Sequence, residues 1–121
     1  MNDFNAIAAK YIDAFNEHDP AGRERLVADV FAPDASYVDP MAAVEGRAGV
    51  DAFIAGAHQQ FPGWVFRLVG EVDGHHDQAR FSWGLGPEGA EPPVLGFDVV
   101  NLGADGRITA VHGFLDRVPG A

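Results

Sequence analysis

The stretch Val50–Val72, VDAFIAGAHQQFPGWVFRLVGEV, contains the point where the chain changes period. Val50, Phe53, Ile54, Ala57 and Phe61 recur at helical spacing, and Pro62-Gly63 ends that pattern. From Trp64 the period is two, with Phe66, Leu68 and Val72 on one face of a strand. Everything before this point reads as helix with one short strand. Everything after it reads as strand. Helices first and a meander after is an α+β order, in which a sheet packs one face on the helices.

Upstream, Phe4, Ile7, Ala8, Tyr11, Ile12 and Phe15 form the apolar stripe of a first helix, capped by Asn2 or Asp3 and ended at Asp19-Pro20. Asp19 caps a second helix with Pro20 at its first position. Leu26, Val27, Val30 and Phe31 give that helix its face, and Pro33 stops it in a Pro33-Asp34 turn. Ser36 to Asp39 reads as a short strand broken by Pro40, and Gly46 to Gly49 as a flexible stretch before the third helix. Downstream, Asp73-Gly74 begins a turn, and Gln78 to Leu85 alternates with Ala79, Phe81, Trp83 and Leu85 on one face. A Pro-rich loop, Gly86 to Pro93, precedes a strand from Val94 to Leu102. Ala104-Asp105-Gly106 then turns the chain into a last strand, Ile108 to Leu115. The expected fold is a single α+β domain over residues 1–121: a cone-shaped roll of three N-terminal helices packed on a curved, mainly antiparallel sheet of four to six strands, enclosing a cavity.

Composition narrows the function. A chain of 121 residues is one domain and buries well over ~60% of its unfolded surface. There is no Cys, which removes disulfides, thiolate metal sites and Cys nucleophiles. Lys plus Arg number 8 against 18 Asp plus Glu, a net charge of −10 that disfavours nucleic acid and anionic membrane as partners. No apolar run approaches the ~20 residues of a membrane helix, and the start lacks a signal-peptide pattern, so a cytoplasmic location is expected.

Three polar residues stand out in apolar settings. Asp98 lies in a strand with Val94, Gly96 and Val100 on its own face and Leu95, Phe97 and Val99 on the other. A carboxylate there must be paired, protonated or facing a cavity. Asp39 precedes Pro40 at a strand end, where it either starts a turn or presents a base to a cavity, with Tyr37 two residues back on the same side. Tyr11 sits on the stripe of the first helix, as core or with its hydroxyl in the same cavity as Asp98. The histidines point elsewhere. His75-His76 reads as a solvated turn, His18 and His58 lie near helix C-termini that favour a cation, and His112 reads as structural on the last strand. No metal site, phosphate loop or G-x-S-x-G pattern is present.

Several short motifs share an order and spacing with one known family. They are Tyr11-Ile-Asp-Ala-Phe-Asn16, Phe31-Ala-Pro-Asp-Ala-Ser-Tyr-Val-Asp39-Pro40, Val44-Glu-Gly-Arg47, Asp98-Val-Val and Gly106-Arg-Ile. Over nearly its whole length the chain resembles the SnoaL-like group of the nuclear transport factor 2-like superfamily, which includes ketosteroid isomerase, scytalone dehydratase and limonene epoxide hydrolase. The resemblance to ketosteroid isomerase implies three catalytic residues: Asp39 as general base, and Tyr11 with a protonated Asp98 as hydrogen-bond donors to an enolate. A carboxylic acid kept neutral at pH 7 is a known device of that enzyme. The family's apolar pocket lining falls on Phe31, Phe53, Phe81, Trp83 and Leu85. No cofactor is implied. The partners implied are a small apolar molecule and a second copy of the chain, whose cover would be a sheet face carrying Leu95, Phe97, Val99, Val111 and Leu115. Three departures stand beside these matches, the first being a Tyr11–Asp39 stretch about four residues longer than in the isomerase. Ile54 occupies the place of a second tyrosine, and the Gly86–Pro93 loop is long enough to reshape the pocket mouth. The function expected is proton abstraction next to a carbonyl. The alternatives are non-catalytic binding of an apolar ligand, or a hydratase or epoxide hydrolase. The last ranks lower because Arg80 and Asn101 fall on strand faces opposite Phe81 and Asp98.

Overall fold

A computed structural model describes residues 2–119 of the chain. Helices α1 (Phe4–Asn16) and α2 (Pro20–Val30) lead into strands β1 (Phe31–Asp39) and β2 (Ala42–Glu45), then helix α3 (Gly46–Gln60). Four strands follow: β3 (Trp64–His75), β4 (Gln78–Pro87), β5 (Val94–Leu102) and β6 (Ile108–Arg117). They form one sheet in the order β2-β1-β6-β5-β4-β3. All pairs are antiparallel except β1 with β6, which run parallel in the middle of the sheet. The fold is α+β, with the three helices packed on one face of the sheet.

Local chemistry sets the helix ends. Asp3 accepts from the Ala6 amide at 3.1 Å and Asp19 from the Gly22 amide at 2.8 Å, so both caps satisfy a free N–H. At the end of α1 the Asn16 side chain pairs with the Phe66 backbone as a strand would. Its amide donates to the Phe66 carbonyl and its oxygen accepts from the Phe66 N–H, both at 2.8 Å. This pair fixes α1 on β3.

Four local expectations change. Phe31 does not continue α2 but opens β1, paired with Ile108. Pro33 biases Ala32 toward extended backbone, and the Arg47 fork takes the Ala28 and Phe31 carbonyls at 3.1 and 2.9 Å. Pro33-Asp34 is thus an irregularity within β1 rather than a turn. The stretch Gly46 to Gly49 is the first turn of α3, entered directly from β2 through Gly46 at φ +76°. The Gly86–Pro93 loop folds onto β4, where Pro92 and Pro93 fill the space left by Gly84 and Gly86, and residues 88–93 do not border the cavity.

The sheet faces also need one correction. Val111 is fully buried and Leu115 borders the cavity, so both point toward the helices. The outward positions on β6 are His112 and Phe114, beside Phe97 on β5 and Val38 on β1. Among the described residues no helix is long and apolar enough to cross a membrane.

Candidate active site

Between the helices and the sheet lies a cavity of about 670 Å³. Phe15, Phe53, Phe66, Trp83, Leu85 and Val94 supply much of its apolar wall. Its polar groups are few: Tyr11 on α1, Tyr37 and Asp39 on β1, and Gln60 on α3. A largely apolar pocket with a small set of convergent polar groups is what a small-molecule site requires.

The polar end is built from two tyrosine–aspartate pairs. The Tyr11 hydroxyl donates to Oδ2 of Asp98 at 2.7 Å, and the Tyr37 hydroxyl donates to Oδ2 of Asp39 at 2.7 Å. The other Asp39 oxygen accepts from the Met41 and Ala42 amides at 2.8 and 2.9 Å, closing the Pro40-Met41 turn. One Asp39 oxygen thus makes the turn, and the other meets the Tyr37 hydroxyl at the cavity wall. Asp98 stands behind Tyr11, 1% exposed, and does not itself border the cavity.

Strand order brings the pairs together. Asp98 is opposite Gly113, and Val38 is opposite His112, so β1, β6 and β5 carry Asp39, Gly113 and Asp98 at one level. A Cβ on Gly113 would stand 2.9 Å from Oδ1 of Asp98 and 3.0 Å from Cβ of Asp39. Gly113 thus leaves the gap that lets two carboxylates flank one strand. A Cβ on Gly96 would overlap the Trp83 indole, so Gly96 lets that ring lie across β5 beside Asp98. A lone glycine within a strand often marks such a close approach. Gly113 and Gly96 carry that signal in the sequence. Tyr37 was noted there only as a neighbour of Asp39.

Electrostatics follow from burial. Desolvation pushes the Asp98 carboxyl up to about 6; the Tyr11 hydroxyl and the Trp83 indole oppose the rise, and the Asp39 charge adds to it. Among the described residues Oδ1 of Asp98 has no partner meeting hydrogen-bond geometry, an arrangement that suits a neutral acid better than a carboxylate. Burial also raises the Tyr11 and Tyr37 phenols, and the neighbouring carboxylates reinforce it.

Of the lining expected from sequence, Phe53, Trp83 and Leu85 border the cavity. Phe31 and Phe81 do not. They are buried at 0% and 2% exposure and pack on the Tyr11 ring, with centroids at 5.9 and 5.1 Å. Their part is to hold that ring. The histidines stay outside the cavity lining. His58 meets the Phe15 carbonyl at 2.7 Å, and burial lowers its pKa, so the neutral ring is favoured there despite the helix end. His112 pairs with Asn101 at 2.9 Å on the outer face. Among the described residues no group of three or more side chains is placed to hold a metal ion.

Fold and cavity together define an α+β domain of the cone type with a largely apolar cavity between its helices and sheet. The SnoaL-like domain model matches residues 8–111, and the chain belongs to that family. It is 32% identical over 113 residues to a steroid Δ-isomerase from Nocardioides simplex, covering 90% of this chain and 86% of that one. A SnoaL-like family structure from Agrobacterium tumefaciens is 43% identical, with a TM-score of 0.89 over 93% of this chain and 97% of that one. A Catenulispora acidiphila protein with a ketosteroid isomerase-like fold, 18% identical, shares the fold at a TM-score of 0.70 over 93% of this chain and 85% of that one.

Proposed function

We propose that the protein is an enzyme that abstracts a proton next to the carbonyl of a small apolar substrate, of the isomerase or cyclase kind. Asp39 is the base. It takes the proton from the carbon, the C–H electrons move into the new C=C bond, and the carbonyl oxygen gains the charge of an enolate. Tyr11 donates a hydrogen bond to that oxygen. Below the Asp98 pKa of about 6 its protonated carboxyl donates through Oδ2 to the Tyr11 oxygen, reversing the Tyr11-to-Asp98 bond and freeing the Tyr11 proton for the substrate. In an isomerisation Asp39 then returns the proton to a different carbon of the conjugated system. The same side chains supply acid, base and oxyanion donor.

The observation that carries this reading is the buried 2.7 Å Tyr11–Asp98 bond, set across Gly113 from Asp39 with the Asp98 carboxyl pushed up to about 6. The relationship to a steroid Δ-isomerase supports the reaction class. Arg80 pairs with Asp73 at 3.4 Å and Asn101 with His112, both away from the cavity, so a water-activating hydratase finds less support. Non-catalytic ligand binding is favoured by one feature: three donors already engage Asp39. The test is conversion of β,γ-unsaturated ketones to their conjugated isomers. Asp39→Asn is expected to lower kcat by ~10²-fold or more while leaving binding in place. Equal turnover by the variant and the parent sinks Asp39 as the base and leaves the binding reading.

The working unit in this proposal is a homodimer formed through the outer sheet face. Val38, Val69 and Phe114 support it, being 48%, 36% and 56% exposed there.

A further inference from the structure

Gly56 is unusual among the described glycines. Gly46, Gly63, Gly70, Gly89 and Gly106 adopt positive φ, which only glycine takes without strain. At Gly22, Gly49, Gly74, Gly84, Gly86, Gly96, Gly103 and Gly113 an added Cβ would meet protein atoms within 4 Å. Gly56 alone among them combines ordinary helical backbone with nothing within 4 Å. Glycine inside a helix is disfavoured against alanine, and here neither conformation nor packing among the described residues calls for it. The open side of Gly56 is the cavity, whose wall it forms on α3 with Phe53, Ala57 and Gln60, one helical stripe. The wall's buried residues, among them Tyr11, Phe15 and Tyr37, make the floor; its exposed ones, Met41, Gly56, Gln60 and Val118, make the mouth.

We propose that Gly56 is a specificity-determining residue: the space beside it is filled by the body of an elongated, largely apolar carbonyl compound that reaches from the Tyr11–Asp39 floor to the mouth. This rests on the proposed function for the orientation of the ligand, with its oxygen at the floor. A small ligand would occupy the floor alone and leave Gly56 untouched. A long one passes against the bare backbone of α3, with Gln60 one turn further on to meet a polar group at its far end. Any side chain at position 56 narrows that passage.

The experiment reads binding rather than turnover. Phenols offer the oxygen and planar ring of an enol, so phenol, naphthol and estradiol give a series of rising length. Their dissociation constants are measured by equilibrium dialysis for the parent and Gly56→Leu, and melting temperatures for the parent and Gly56→Ala. Gly56→Ala is expected to melt higher by about 3 °C, the helix-propensity gain of a site free of contacts. Gly56→Leu is expected to bind phenol as the parent does and estradiol about tenfold or more weakly. The proposal is overturned if Gly56→Leu binds estradiol as tightly as the parent, if it loses phenol and estradiol alike, or if Gly56→Ala gains no stability. A parent that binds the series but isomerises no ketone removes the catalytic reading, while a graded loss in Gly56→Leu still carries this one.

Discussion

At Asp98 a carboxyl group that is 1% exposed shares one hydrogen bond with a phenol and leaves its second oxygen unpaired. Its pKa of about 6 against an ordinary 3.8 has a consequence for stability. Between those values the folded chain holds a proton that the unfolded chain has released, so stability is full below pH 4 and falls as pH rises toward 6. The loss amounts to about 3 kcal/mol and is complete above that window. Asp98→Asn keeps the shape and removes the charge. Relative to the parent it is expected to gain stability by that amount between pH 4 and pH 8, as read by chemical denaturation at each pH. A variant that instead loses ground at pH 8 would mean that Asp98 is ionised and paired, and the neutral-acid role would go with it. Asp98, Asp39 and Tyr11 were legible in the sequence because each is a polar group set in an apolar pattern. Gly113 was not, because its place depends on which strands lie side by side. The β1–β6 pairing joins positions more than seventy residues apart, and no local pattern encodes it.

Among the elements, the α2–β1 junction shows why a boundary can be misread. Phe31 follows Val27 by four residues and extends the apolar stripe of α2, and its side chain is buried whichever element it belongs to. Period alone cannot separate the two. What decides is Arg47, sixteen residues away, whose guanidinium takes the Ala28 carbonyl in the last turn of the helix and the Phe31 carbonyl that opens the strand. The β2 strand was hidden for a different reason: four residues, Ala42–Glu45, are too few to show an alternation. The long strands and the stripes of α1 and α3 were legible because their periods run for several turns or pairs. Arg47 also supplies a prediction. Arg47→Ala removes two charge-assisted bonds that tie α3 to α2 and β1, with an expected loss of about 2–3 kcal/mol in denaturant unfolding. Arg47→Lys should recover less than half of it, since a single ammonium cannot reproduce the fork. Full recovery by lysine would show that charge, and not geometry, holds the junction.

The whole molecule carries a charge of −10 and an outer sheet face with Phe114 and Val38 exposed. Apolar burial favours pairing of that face and the charge opposes it, so the proposed dimer should tighten as salt screens the repulsion. Sedimentation equilibrium is expected to give twice 12.9 kDa for the parent and 12.9 kDa for Phe114→Glu, with unchanged circular dichroism. A parent that sediments at 12.9 kDa at micromolar concentration would rule the dimer out. The central parallel pair has a separate consequence, for the order of events in folding. β6 is the last strand of the chain, yet it lies between the strands that carry Asp39 and Asp98. While a ribosome is still making residues 108–117, β1 and β5 lack the strand that pairs with both. The two acids meet when β6 closes loops of more than seventy residues with β1, a slow step by its contact order. A nascent chain can therefore bury much of its helical layer while its chemistry stays unassembled, and the site comes into being in one late event rather than by degrees.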